Sequence, residues 1–103
     1  MYQIEYLPSA LHDLTDIAYY IGVNLQNPLA ADNLAEKIVA SVEKLTEMPY
    51  KYAVYYPIKP LQREYRKMVV GKYLVFYWID ESLHKITVAR VIYGGRQIEE
   101  ILD

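Results

Sequence analysis

Residues 64–93 read EYRKMVVGKYLVFYWIDESLHKITVARVIY. Three runs rich in Val, Ile, Tyr and Phe, namely Glu64–Val70, Tyr73–Ile79 and Lys85–Tyr93, are separated by Gly71-Lys72 and by Asp80–His84. β-Branched and aromatic residues suit a pleated, half-buried surface, and the polar breaks between the runs read as turns. The segment predicts three consecutive antiparallel strands. A meander with an apolar face needs a layer packed on it, and the first half of the chain supplies one.

Working outward, Tyr2–Tyr6 alternates apolar and polar residues and predicts a further strand, able to add at an edge of the meander. Pro8 breaks it and Ser9 is a candidate helix cap. Leu11, Leu14, Ile17, Ala18 and Ile21 then recur at helical spacing, with Gly22 and Asn24 marking the end. Asn27-Pro28 offers an N-cap followed by proline at the first helical position. Ala31, Leu34, Ile38, Val42 and Leu45 share one face of the second helix, which Met48-Pro49 stops. Tyr50–Leu61 reads as loop. The predicted order is β-α-α-β-β-β: a single α+β domain over residues 1–103, with an antiparallel sheet and a helical hairpin on one face.

Composition narrows the function. With 53% apolar residues the chain should fold, and with no Cys it has neither disulfides nor a thiolate metal site. The start lacks a basic stretch followed by an apolar one, and no apolar run approaches a membrane span, so a cytoplasmic protein with no membrane partner is expected. His12 and His84 stand apart from any metal-ligand pattern, and Gly94-Gly95 lacks the spacing of a phosphate loop. No metal and no small-molecule cofactor is expected. The net charge of −2 hides an asymmetry: residues 1–49 sum to −5, residues 50–97 to +6, and the tail to −3. The second half either presents a basic face or spreads its charge around the rim.

Candidate site residues lie in that half. Lys59, Arg63, Arg66 and Lys67 surround Tyr65, and strand alternation puts Arg66 and Met68 on one face, Tyr65 and Lys67 on the other. Arg90 interrupts an otherwise apolar strand and so must reach a partner, a cleft or water. Converging, Arg66, Arg90 and Arg96 would make an anion site for a phosphodiester or a carboxylate. Alternatively, Arg90 makes a structural salt bridge with Glu5 or a helix carboxylate. The twelve tyrosines fit base stacking, a protein interface, or rings completing a small core.

Several of these pieces resemble the RelE/ParE superfamily of toxins from type II toxin–antitoxin systems. Pro8-Ser9-Ala10 with Asp13-Leu14, Ile17 and Tyr20-Ile21 resembles the first helix of that family. Asn27-Pro28, Ala30-Ala31 and Leu45 to Pro49 resemble the second helix and its stop. Arg66 ahead of Gly71-Lys72-Tyr73 and Phe76-Tyr77, and the closing Arg90-Val91-Ile92-Tyr93-Gly94-Gly95-Arg96, complete a likeness that covers nearly the whole chain. The resemblance implies a cognate antitoxin as partner.

The resemblance implies two kinds of target. RelE-like members cut mRNA on the ribosome. By that likeness Arg66, Arg96, Tyr93 and Lys67 would be catalytic, with Glu64 as an alternative proton carrier and Lys59 as an assisting cation. ParE-like members inhibit DNA gyrase without that catalytic set. By that likeness Arg63, Tyr65, Arg66, Arg90, Tyr93 and Arg96 would contact the target or the antitoxin. Tyr93 stands where many members have His, Gly95 where a second Arg is common, and Gln97–Asp103 holds neither Tyr nor His. The closing motif is thus closer to ParE, and gyrase inhibition is the expectation. A ribosome-dependent endoribonuclease, or a scaffold that binds antitoxin without toxicity, is the alternative.

Overall fold

The computed structural model describes residues 1–56, 61–95 and 102. Four strands, β1 (Gln3–Tyr6), β2 (Arg66–Val70), β3 (Tyr73–Asp80) and β4 (Lys85–Tyr93), form one sheet in the order β1-β4-β3-β2. Two helices, α1 (Pro8–Tyr19) and α2 (Pro28–Glu43), make the expected hairpin, so the architecture is a helical layer on a sheet. Tyr2–Tyr6 does add at the edge of the meander. It runs parallel to β4, with Ile4 opposite Ile86, so the sheet is mixed.

Local chemistry explains most boundaries. Asn27 caps α2, its side chain accepting from the Ala30 N–H at 3.1 Å. Ser9 does not cap α1: Leu7 holds the extended cap position and Pro8 opens the helix, where its missing N–H costs nothing. The Ser9 hydroxyl instead donates to the Ala89 carbonyl at 2.7 Å. α1 continues into a π-helical turn over Tyr20–Asn24.

Helix α2 buries Ala31, Ile38 and Val42, as its spacing predicts, and Leu45 follows in a 3-10 turn. In α1 the inner face is Ala10, Leu14 and Ile17, while Leu11 points outward and is about half exposed. These residues meet Met68, Val70, Val75, Tyr77, Ile86, Val88 and Val91 from the sheet. A second buried cluster fills the opposite sheet face: Tyr65, Phe76, Ala89, Ile92 and Leu102, with Leu7, Tyr55, Leu61, Leu74 and Trp78 packed around it. The sheet is therefore apolar on both faces, and its strands read as near-continuous hydrophobic runs for that reason.

Strand β4 carries one irregularity. Phe76 pairs with Arg90 but Tyr77 pairs with Val88, so Ala89 is an extra residue in β4. Such a bulge twists a strand and re-aims the neighbouring side chain, here Arg90.

Candidate functional site

Strand β2 is an edge of the sheet, and the connector from α2 runs beside its first half. The Tyr55 N–H donates to the Tyr65 carbonyl at 2.8 Å and the Lys67 N–H to the Ala53 carbonyl at 3.3 Å. The connector carries tyrosines and the strand carries cations, and the pairing stacks one on the other. The Arg66 guanidinium carbon lies 4.9 Å from the Tyr50 ring centre, and the Lys67 ammonium 5.6 Å from that of Tyr55. Arg63 lies 4.2 Å over the Trp78 ring, and Lys51 5.5 Å from Tyr52. Arg66 also donates through Nη1 to the Tyr52 carbonyl at 2.7 Å. As alternation predicts, Met68 joins the cluster under the helices and Tyr65 the opposite one, where its ring meets Trp78 edge-on at 5.8 Å.

At the end of this ladder lie residues that the sequence did not single out. The Tyr2 hydroxyl donates to Glu81, and its ring stacks on His84 at 4.1 Å. Its pKa is pushed up to about 12, first by the bond to Glu81, then by partial desolvation and the adjacent carboxylate charge. Partial desolvation and a bond to the same carboxylate also raise the Tyr50 hydroxyl. Glu81 thus ties the β3–β4 turn to Tyr2, just ahead of β1.

Arg90 belongs to a different place. Its Nε and Nη2 donate to the two carboxylate oxygens of Asp13 in α1, at 2.7 and 2.8 Å. Asp13 Oδ2 also accepts the Val91 N–H at 2.9 Å. Strand β1 pairs with β4 only as far as Val88. Beyond that point the start of α1 continues the edge: the Leu7 N–H donates to the Val88 carbonyl, Ser9 to Ala89, and Asp13 receives Val91. Asp13 is a stand-in strand partner. Of the two salt-bridge partners read from the sequence, the structure has the helix carboxylate; Glu5 instead lies 3.5 Å from Lys85. The bond to Asp13 is the main reason the Arg90 pKa rises further above its already high value.

A single anion site of Arg66, Arg90 and Arg96, the other reading of Arg90, is thus not what the described residues form. Arg66 and Arg90 are two strands apart and turn toward opposite edges of the sheet. Arg96 and Lys59 lie outside the described residues. Tyr93 sits at the other end of the sheet from Arg66, paired with Tyr73 while Arg66 pairs with Tyr77. Four residues along β3 and two strand spacings put their Cα atoms about 16 Å apart. The buried row Met68–Val75–Val91 lies between them. Tyr93 meets Tyr73 edge-on at 5.8 Å and lines a groove of about 880 Å³. That groove runs between the hairpin and the sheet, with Ile17, Tyr20, Leu25 and Leu34 on the helical side and Lys72 and Tyr73 on the other.

Among the described residues no group of acidic, His or Cys side chains is placed to hold a metal, and no helix is long and apolar enough to cross a membrane.

Residues 4–98 match the family described as the ParE toxin of type II toxin–antitoxin systems, parDE. By sequence, no curated protein matches the chain. Among solved structures, a chain of the chromosomal ParDE toxin–antitoxin system from P. aeruginosa is similar, with a TM-score of 0.72 at 19% identity. The match covers 90% of this chain and 96% of that one. A chain of the intact RelBE toxin–antitoxin complex from E. coli superposes with a TM-score of 0.62 at 15% identity, over 93% of this chain and all of that one. The archaeal RelE–RelB complex from Pyrococcus horikoshii gives 0.62 at 13% identity, over 93% and 98%. Two helices on a four-stranded mixed sheet, and a family match spanning nearly the whole sequence, lead to one assignment: the chain belongs to the ParE toxin family of type II toxin–antitoxin systems.

Proposed function

We propose that this toxin arrests growth by docking on a DNA topoisomerase of the gyrase type, without cutting RNA. The separation of Arg66 from Tyr93 carries the reading, because it leaves Glu64, beside Arg66 in one small cleft, as the one proton carrier of the two considered. Phosphodiester cleavage needs its proton carriers and its charge-stabilising donors within about 3 Å of the same reacting group. Here a strand cation and the tyrosine proposed to work with it stand about 16 Å apart, with core side chains between them. Arg90 is held by Asp13. The sheet face away from the helices is closed by Tyr65, Phe76, Ile92 and Leu102 rather than open to a polyanion. An overall charge of −2 also weakens the salt-dependent attraction on which RNA binding depends. A rigid strip of stacked cations and aromatics along β2 suits a protein surface, because such side chains give up little freedom on docking.

A cognate antitoxin is the second partner, as the toxin–antitoxin complexes among the structural neighbours suggest. Its place in this reading is the groove beside α1 and α2. There Tyr20, Leu25 and Tyr93 each leave about half of their surface in water, and contiguous apolar surface of that kind calls for cover.

Purified toxin added to gyrase should inhibit supercoiling, and antitoxin added first should prevent it. Supercoiling unchanged at stoichiometric toxin, together with cleavage of ribosome-bound mRNA, would overturn the proposal.

A further inference from the structure

Beside the stacked strip, a cleft of about 300 Å³ opens between the connector and the edge of the sheet, lined by Tyr50, Gln62, Arg63, Glu64, Arg66 and Trp78. Its size is at the lower end for ligand sites, suited to one side chain or a small anion rather than a large molecule. Both guanidiniums lie over an aromatic ring, Arg63 over Trp78 at 4.2 Å and Arg66 over Tyr50 at 4.9 Å. Among the described residues neither is in an ion pair, in contrast to Arg90 and Lys85. A ring face beneath a guanidinium uses none of its N–H donors, so those not otherwise bonded can receive a carboxylate through two parallel hydrogen bonds. Arg66 is further fixed by the Tyr52 carbonyl. Two cations that pair with no described carboxylate, around a small opening, describe a receptor awaiting an anion.

We propose that this cleft receives a single carboxylate, the Glu or Asp side chain of an acidic segment on a protein partner. Two features choose a carboxylate over phosphate. Glu64 lines the same cleft, so its lining residues carry a formal excess of one positive charge, matched to a monoanion. A dianionic phosphate or a nucleic-acid backbone would meet Glu64 repulsion as well as the net negative charge of the chain. The proposal rests on the reading of this strip as a docking surface only in taking the partner to be a protein. The anion site is testable on the isolated chain, so its failure and that of the gyrase reading are told apart.

Trp78 is the only tryptophan and lies directly under Arg63, so it reports the cleft. The experiment titrates the full chain with hexaglutamate, hexaglutamine and inorganic phosphate at one ionic strength. It follows Trp78 fluorescence together with the amide shifts of residues 61–66 and the Trp78 indole N–H. The expected result is a saturable response to hexaglutamate alone, weakened at least tenfold by Arg63→Ala and less by Arg63→Lys, which keeps the charge but loses the fork. The amide shifts keep the measurement readable in variants that alter the fluorescence itself. A saturable response to phosphate with none to hexaglutamate would overturn the carboxylate assignment. No saturable response, or one unchanged in Arg63→Ala, would overturn the site.

Discussion

Removing the Asp13 carboxylate tests the structural account where it is most specific. Asp13 accepts three hydrogen bonds, two from Arg90 and one from the Val91 N–H. Its side chain is 11% exposed and that of Arg90 24%. Breaking a buried pair costs about 3–5 kcal/mol where the surviving charge loses its counter-ion. Arg90 keeps about a quarter of its side chain in water, and screening there reduces the cost to about 2–3 kcal/mol. The orphaned Val91 N–H adds about 1 kcal/mol. Asp13→Ala should therefore lose about 3–4 kcal/mol, a large share of the roughly 5–15 kcal/mol that holds such a domain together. At about 4–8 °C per kcal/mol for a domain of this size, melting should fall by about 12 °C or more. Asp13→Asn keeps the shape and one acceptor oxygen and should lose about half as much. Urea unfolding of the two variants, of Arg90→Ala and of the double variant closes the cycle, with an expected coupling above about 1.5 kcal/mol. An Asp13→Ala protein within about 0.5 kcal/mol of the parent, or a coupling that small, would refute the claim that a helix carboxylate completes the edge of β4.

Other consequences rest on single contacts. The buried Tyr77 hydroxyl donates to the Pro49 carbonyl at 2.8 Å, and burial pushes its pKa up to about 12. The folded state therefore holds this proton more tightly than the unfolded chain, and that stability is intact below pH 10 and lost as pH rises toward 12. Tyr77→Phe should cost about 1–2 kcal/mol at neutral pH and flatten the alkaline loss, as read from urea midpoints across that range. Gly71 turns the β2–β3 hairpin at a φ of +61° with open space around it. Gly71→Ala should then cost about 1 kcal/mol by backbone strain alone, and a loss of several kcal/mol would show a clash that the structure lacks. Ile38 is fully buried in the main core, and Ile38→Ala should cost about 2–5 kcal/mol in the same assay.

The sequence carried the elements well because each rests on short-range patterns. The meander comes from three β-rich runs and two turns, and α2 from Asn27-Pro28 and a five-residue apolar face, all of which the structure contains. Arrangements that depend on distant residues were less legible. The parallel course of β1 beside β4 joins residues about eighty positions apart. No local signal marks Ala89 as an extra residue, because the bulge exists only relative to β3. Leu11 fits the helical stripe by spacing alone, yet the inner face is centred on Ala10, Leu14 and Ile17 and Leu11 stays about half exposed. The site shows the same division. Clustering around Tyr65 pointed to Arg63, Arg66 and Lys67 on β2 and the segment before it, and these stand together in the structure. Of their aromatic supports Trp78 was not singled out, although a lone tryptophan two residues from Phe76 was a signal to weigh. Of the two readings of Arg90, the structure has the salt bridge to a helix carboxylate, Asp13, and not the convergence with Arg66.

The most direct test of the central claim is to induce this chain alone in bacterial cells and follow labelled thymidine and labelled methionine incorporation in parallel. The account predicts that thymidine incorporation falls first while protein synthesis continues, because a gyrase-directed toxin stops replication before translation. Methionine incorporation falling first would contradict it and return the function to mRNA cleavage.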